Sequence, residues 1–74
     1  MKSVVLMLDA IPGVERHFPE SVRSEVSALI TDCRRARRAA AQLIQMNPDS
    51  KARYEEQLHQ TFRSNASKAA ALLP

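Results

Sequence analysis

Apolar and polar positions alternate in a helical rhythm over most of the chain. Val22, Val26, Leu29, Cys33, Ala36, Ala40 and Leu43 follow one another in steps of four and three. That is an unbroken heptad seam, with Val26, Cys33 and Ala40 at a and Val22, Leu29, Ala36 and Leu43 at d. Ile30 and Ile44 widen the stripe at e. A stripe wider than a/d suits a helix that packs on more than one neighbour. The second half carries a looser pattern, Tyr54, Leu58, Phe62, Ala66, Ala69 and Leu73, with both of its aromatic rings near its start.

Prolines at 12, 19, 48 and 74 punctuate this pattern. Pro19 and Glu20 suit a first helical turn, because proline lacks the N–H that has no acceptor there and an acidic residue favours the positive end of the helix dipole. No glycine or proline intervenes before Met46. The spacing therefore predicts a helix over 19–46, roughly 28 residues and about 42 Å long. In "MNPDS", proline drives Asn47 out of the helical region, and Asn47 is itself suited to cap a helix that opens with Pro48 and Asp49. A second helix is predicted over 48–72. Two helices joined by so short a turn must fold back antiparallel. The expected fold is thus all-α: one small domain spanning 1–74, built on a two-helix hairpin.

Residues 1–18 form a separate N-terminal segment, within which the turn signal Pro12-Gly13 ends whatever element Ser3–Ile11 forms. Val4, Leu8 and Ile11 would share one face of a short helix with Ser3 as its cap; the run Val4–Leu8 also fits a strand, but no second strand offers itself as a partner. Five apolar residues before Asp9 fall short of a secretory signal or a membrane span. A cytoplasmic protein without a membrane span is expected.

Composition sharpens one point. A chain of 74 residues with a single cysteine and three aromatic residues has little with which to fill a core. The hairpin is therefore expected to need further cover, from residues 1–18, from a second copy, or from a helical protein of another kind. The interface positions that follow are Val22, Val26, Leu29, Ile30, Cys33, Ala36, Ala40 and Leu43 on the first helix, with Tyr54, Leu58 and Phe62 on the second.

The net charge of +3 permits an anionic partner without demanding one. Its conspicuous feature is "CRRARRAAA". In the heptad register Arg34, Arg35 and Arg38 fall at b, c and f, on the back of the seam, and Arg37 falls at e on its border, where its methylenes can cover apolar surface. These four arginines are the candidate anion-binding residues. The chain shows neither a zinc-ligand pattern nor helix-turn-helix spacing, and little aromatic interleaving for base stacking, so nucleic acid ranks behind a protein partner. Cys33 lies mid-helix on the seam, away from any helix N-terminus that would activate a thiolate. His17, His59 and Cys33 lack ligand spacing, and one glycine is too few for a phosphate-binding loop. No enzyme, cofactor or metal is expected.

A hairpin with "VSALITDCRRA" in its first arm and "PDSKARY" opening the second resembles the small co-chaperones of type III secretion needle subunits, and "NPDS" also resembles the turn of the needle subunits themselves. The resemblance covers about residues 20–70. It implies a cytoplasmic helical hairpin that binds a larger helical-repeat chaperone and helps keep the needle subunit unpolymerised. Val26, Leu29, Ile30 and Cys33 with Tyr54, Leu58 and Phe62 would then face protein partners. Such co-chaperones would carry a glycine near the turn, which this chain lacks.

Overall fold

The computed structural model describes residues 12–73. The expected helix or strand over 3–11 lies outside the described residues. Two helices dominate: α1, Arg23–Met46, and α2, Lys51–Ala70. Each is entered through a single 3₁₀ turn, Glu20–Val22 before α1 and Pro48–Ser50 before α2, and a further 3₁₀ turn, Val14–His17, precedes both. Among the described residues there is no strand. The hairpin predicted from the periodicity is the fold.

The boundaries have local causes. Pro19 stands just outside the first turn rather than as its first residue; its extended backbone (φ −56°, ψ 144°) and its carbonyl, which accepts from Val22 N–H at 3.0 Å, start the coil. Asn47 is the one residue between α1 and the 3₁₀ turn that opens α2. It is extended (φ −144°, ψ 78°), as a residue before proline must be. Its N–H closes α1 on the Leu43 carbonyl at 2.9 Å, and its own carbonyl accepts from Ser50 N–H at 3.1 Å. The expected side-chain cap at Asn47 is not formed; backbone bonds take its place. At the other end α2 stops at Ala70, two residues short of the predicted end, and Leu72 and Leu73 continue in turn geometry on the carbonyls of Ala69 and Ala70.

The packing is uneven along the hairpin. At the open end, Val14, Phe18, Val26, Ile30 and Ala69 form a buried cluster, with Val22, Leu29 and Leu72 against it. Val14 and Phe18 come from the segment before α1, so this short stretch provides the cover that the two helices lack there. Gly13 makes its approach feasible. Its φ of 69° is a left-handed conformation that costs a side-chain-bearing residue energy, and its carbonyl receives Arg16 N–H at 3.0 Å. Arg23 Nε donates to the Phe18 carbonyl at 3.2 Å and ties the segment to the start of α1.

Toward the turn the buried set thins to Cys33, Ala40 and Phe62. The α1 seam is consequently rotated from a/d toward a/e. Val26, Cys33 and Ala40 at a and Ile30 at e are buried, whereas Val22, Leu29 and Ala36 at d are half-buried and Leu43 is 41 % exposed. The physical reason is the third layer, which lies on the e side; nothing in the described chain covers the d side at the turn end.

The α2 stripe differs from the expected one. Its buried positions are Phe62, Asn65 and Ala69, continued by half-buried Leu58 and Leu72 in steps of four, three, four and three; Ala66 is half-buried beside this line and Leu73 is 49 % exposed. Repeated steps of four drift around a helix of 3.6 residues per turn, so a straight seam must alternate.

Candidate protein-binding face

One face of the hairpin's turn half is an open groove. α1 lines it with Ala36, Ala39, Ala40 and Leu43, and α2 with Tyr54, Gln57, Leu58 and Thr61. No charged side chain lines it, in a protein of which 26 % of residues are charged. Alanine forms its floor because Ala36, Ala39 and Ala40 share this side of α1, from buried Ala40 to exposed Ala39. Leu43, Tyr54 and Leu58 stand at the walls, and none is fully buried. Met46, 81 % exposed, lies one heptad beyond Ala39 at the same end. At about 180 Å³ the groove falls below the ~300–1,000 Å³ of small-molecule sites.

The face continues toward the open end through a polar recess bordered by Asp32, Gln60, Ser64, Asn65 and Lys68, which shares Gln57 and Thr61 with the groove. Asn65 is the polar residue buried at its base, 3 % exposed. Its amide nitrogen donates to Asp32 Oδ2 at 2.8 Å and lies 3.3 Å from both the Leu29 carbonyl and Cys33 Sγ. A single amide thus binds backbone, carboxylate and sulfur of α1. Only one sliding register of the helices satisfies it, the use to which buried amides are put in coiled coils. The reading of α2 in steps of four missed Asn65. Alternating the steps from Phe62 to Ala69 would have found it.

The predicted interface residues divide into two groups. Val26, Ile30, Cys33, Ala40 and Phe62 are buried within this chain, and Cys33 is 1 % exposed. In this conformation they are packed rather than presented. Val22, Leu29, Ala36, Leu43, Tyr54 and Leu58 retain exposed surface. Of these, Ala36, Leu43, Tyr54 and Leu58 converge on the groove, whereas Val22 and Leu29 pack at the open end. Ala39, Gln57 and Thr61 join the groove without having been expected there.

The four arginines divide as well. Arg34, Arg35 and Arg38 are exposed on the outer side of α1. Arg37 is half-buried, its guanidinium carbon 4.9 Å from the centre of the Phe62 ring. The His59 ring stands 6.5 Å from the same ring, centre to centre. Phe62 is therefore covered by polar residues on the side away from the groove, and the two faces of the hairpin differ in kind.

Among the described residues no three His, Cys, Asp or Glu side chains gather as a metal site, and no helix is long and apolar enough to cross a membrane. No protein-family model, curated protein or solved structure matches the chain.

Proposed function

We propose that this chain is a non-enzymatic protein-binding module of the adaptor or chaperone kind, acting in the cytoplasm by offering an incomplete helical bundle. The observation that carries the reading is the uncharged alanine-floored groove at the turn end, open where the rest of the hairpin is either covered or charged. A helix laid along it would remove Leu43, Tyr54 and Leu58 from water, and the small residues would let the backbones approach closely. The resemblance to needle co-chaperones belongs to the same class of function and would make the partner a helical-repeat protein.

Site-specific photo-crosslinking in cells that express the full chain tests this. A cross-linker at Ala39 is expected to form protein adducts that disappear with Leu43→Asp, whereas one at Arg34 is expected to form few. Equal yields from both positions would sink the reading.

The exposed trio Arg34, Arg35 and Arg38 favours a second reading, a basic regulator that binds nucleic acid through phosphate contacts. Salt-dependent retention of DNA or RNA by the purified protein, abolished by changing these three arginines to glutamate, would establish it in place of the first.

A further inference from the structure

We infer that the outer face of α1 lies along the major groove of duplex DNA, with Arg34 and Arg35 on the phosphates of the two strands. This inference rests on the nucleic-acid reading above and names the form of nucleic acid bound.

The face is free of acid over its whole length. Between Ser24 and Gln45 the outward positions b, c and f carry only serine, threonine, alanine, arginine and glutamine, and all are exposed. Both acidic residues of α1, Glu25 and Asp32, fall at g, outside this arc. The Asp32 carboxylate is engaged by the Asn65 amide at 2.8 Å. Among the described residues Arg34, Arg35 and Arg38 take part in no ion pair, so no acid of this chain offsets their mutual repulsion. An anion with charge spread along its length does.

The three arginines are also spread in the way a groove requires. At 3.6 residues per turn, Arg34 and Arg35 leave the helix about 100° apart, and Arg38 leaves between them, one turn on. A phosphate backbone on either side and the groove floor in the middle give each guanidinium its own acceptor. Arg38 then meets base edges, where arginine pairs with guanine O6 and N7. Gln45 follows Arg38 on the same line, and Gln42 follows Arg35, so amide donors continue the contact toward the turn. Glu15 borders the recess of Ser27, Thr31 and Arg34 and would repel a phosphate there. The contact therefore runs from Arg34 to Gln45, about 17 Å or three helical turns.

The chemistry of the face separates duplex DNA from other anions. An α-helix about 10–12 Å across fits the ~12 Å major groove of B-form DNA, whereas the major groove of duplex RNA is too narrow for side chains to read. No aromatic residue stands on the face to stack the bases of a single strand. No apolar residue larger than alanine stands there either, so an acidic protein would find charge without the apolar centre that protein interfaces have.

Fluorescence anisotropy of the full chain with a labelled duplex DNA, the duplex RNA of the same sequence and the single DNA strand tests the inference. At low salt, duplex DNA is expected to bind roughly tenfold more tightly than either of the others. Its log association constant is expected to fall with log salt at a slope of about −2, from two phosphate contacts at about −0.9 each. Arg34→Gln and Arg35→Gln are each expected to bring the slope to about −1. Arg38→Gln is expected to leave the slope unchanged and to lower the preference for G·C-rich over A·T-rich duplexes. All three variants change exposed side chains, and circular dichroism is expected to show their helices intact. Equal affinity for the three nucleic acids, lost on changing the three arginines to glutamate, would overturn the duplex assignment and leave the nucleic-acid reading standing. So would an Arg38→Gln variant whose slope falls as far as that of Arg34→Gln. Polyglutamate that displaces the labelled duplex as well as unlabelled duplex does would assign the face to an acidic protein instead. No retention of any nucleic acid at low salt overturns both the inference and the reading beneath it.

Discussion

Asn65 holds one hairpin register with a single side chain. Its amide meets three acceptors on one turn of α1, and its position would otherwise be an apolar seam position. Asn65→Ala is expected to lower stability by about 1–3 kcal/mol, from the lost bonds and the space left behind, as read by urea unfolding. Asn65→Leu is expected to cost less, because Asp32 is solvent-exposed and can be hydrated. Asn65→Asp sets two carboxyls in the place of the 2.8 Å bond. One of them is then pushed above its ordinary pKa, so the folded state takes up a proton more readily than the unfolded chain. Stability of this variant is therefore expected to be highest in acid and to fall as pH rises through the raised value, the reverse of an ion-paired carboxylate. Urea midpoints measured across this pH range check the sign.

Neighbouring arginines offer a second contrast at this scale. Arg37 lies over Phe62, whereas Arg38, one position on, points outward. Arg37→Ala is expected to cost about 1 kcal/mol through the lost ring contact and methylene packing, and Arg38→Ala close to nothing. Equal effects in thermal unfolding would contradict the assignment of Arg37 to the covered side.

Among the elements, the 3₁₀ turn Val14–His17 has an importance beyond its four residues. It delivers Val14 and Phe18 to the open-end core, each 7 % exposed, and Gly13 sets the angle at which it arrives. Phe18→Ala is expected to cost about 3 kcal/mol, the scale for removing a buried aromatic ring. Gly13→Ala has room for its methyl group, the nearest atom being an Arg16 methylene at 3.7 Å. It must nevertheless hold a positive φ, at about 1 kcal/mol. Amide exchange is expected to show the loss first in residues 14–18 and then in the first turns of α1, with the middle of α2 protected longest. Uniform loss of protection would indicate that the segment and the helices unfold as one unit.

For the whole molecule, the two halves of the hairpin are stabilised differently. The open half has a third layer and a cluster of apolar side chains, and the turn half has alanine and an open face. The outer arginines add a charge term of their own. Arg34 and Arg38 are like charges one turn apart, so Arg34→Glu is expected to stabilise the isolated hairpin by a few tenths of a kcal/mol, measurable by differential unfolding at low salt.

The sequence by itself determined the elements. Steps of three and four over Val22–Leu43, a stretch free of glycine and proline, and a pre-proline asparagine leave the chain no other economical conformation, because these are local constraints on backbone angles and helix faces. Antiparallel packing followed from the shortness of the break at Asn47. The same reasoning located the arginines on the back of α1 and singled out the residues of the seam. Which side of the seam would be closed was decided only by the tertiary structure. Val14 and Phe18 fold onto the e side, a contact between segments whose patterns show no preference for either side. That choice buries Ile30, leaves Leu43 open, and turns Ala36 and Ala39 into the floor of a groove. Asn65 was equally beyond a reading in steps of four, since its place depends on the angle at which α2 meets α1. Local periodicity names the faces of a helix; the partner each face meets is set by packing across the chain.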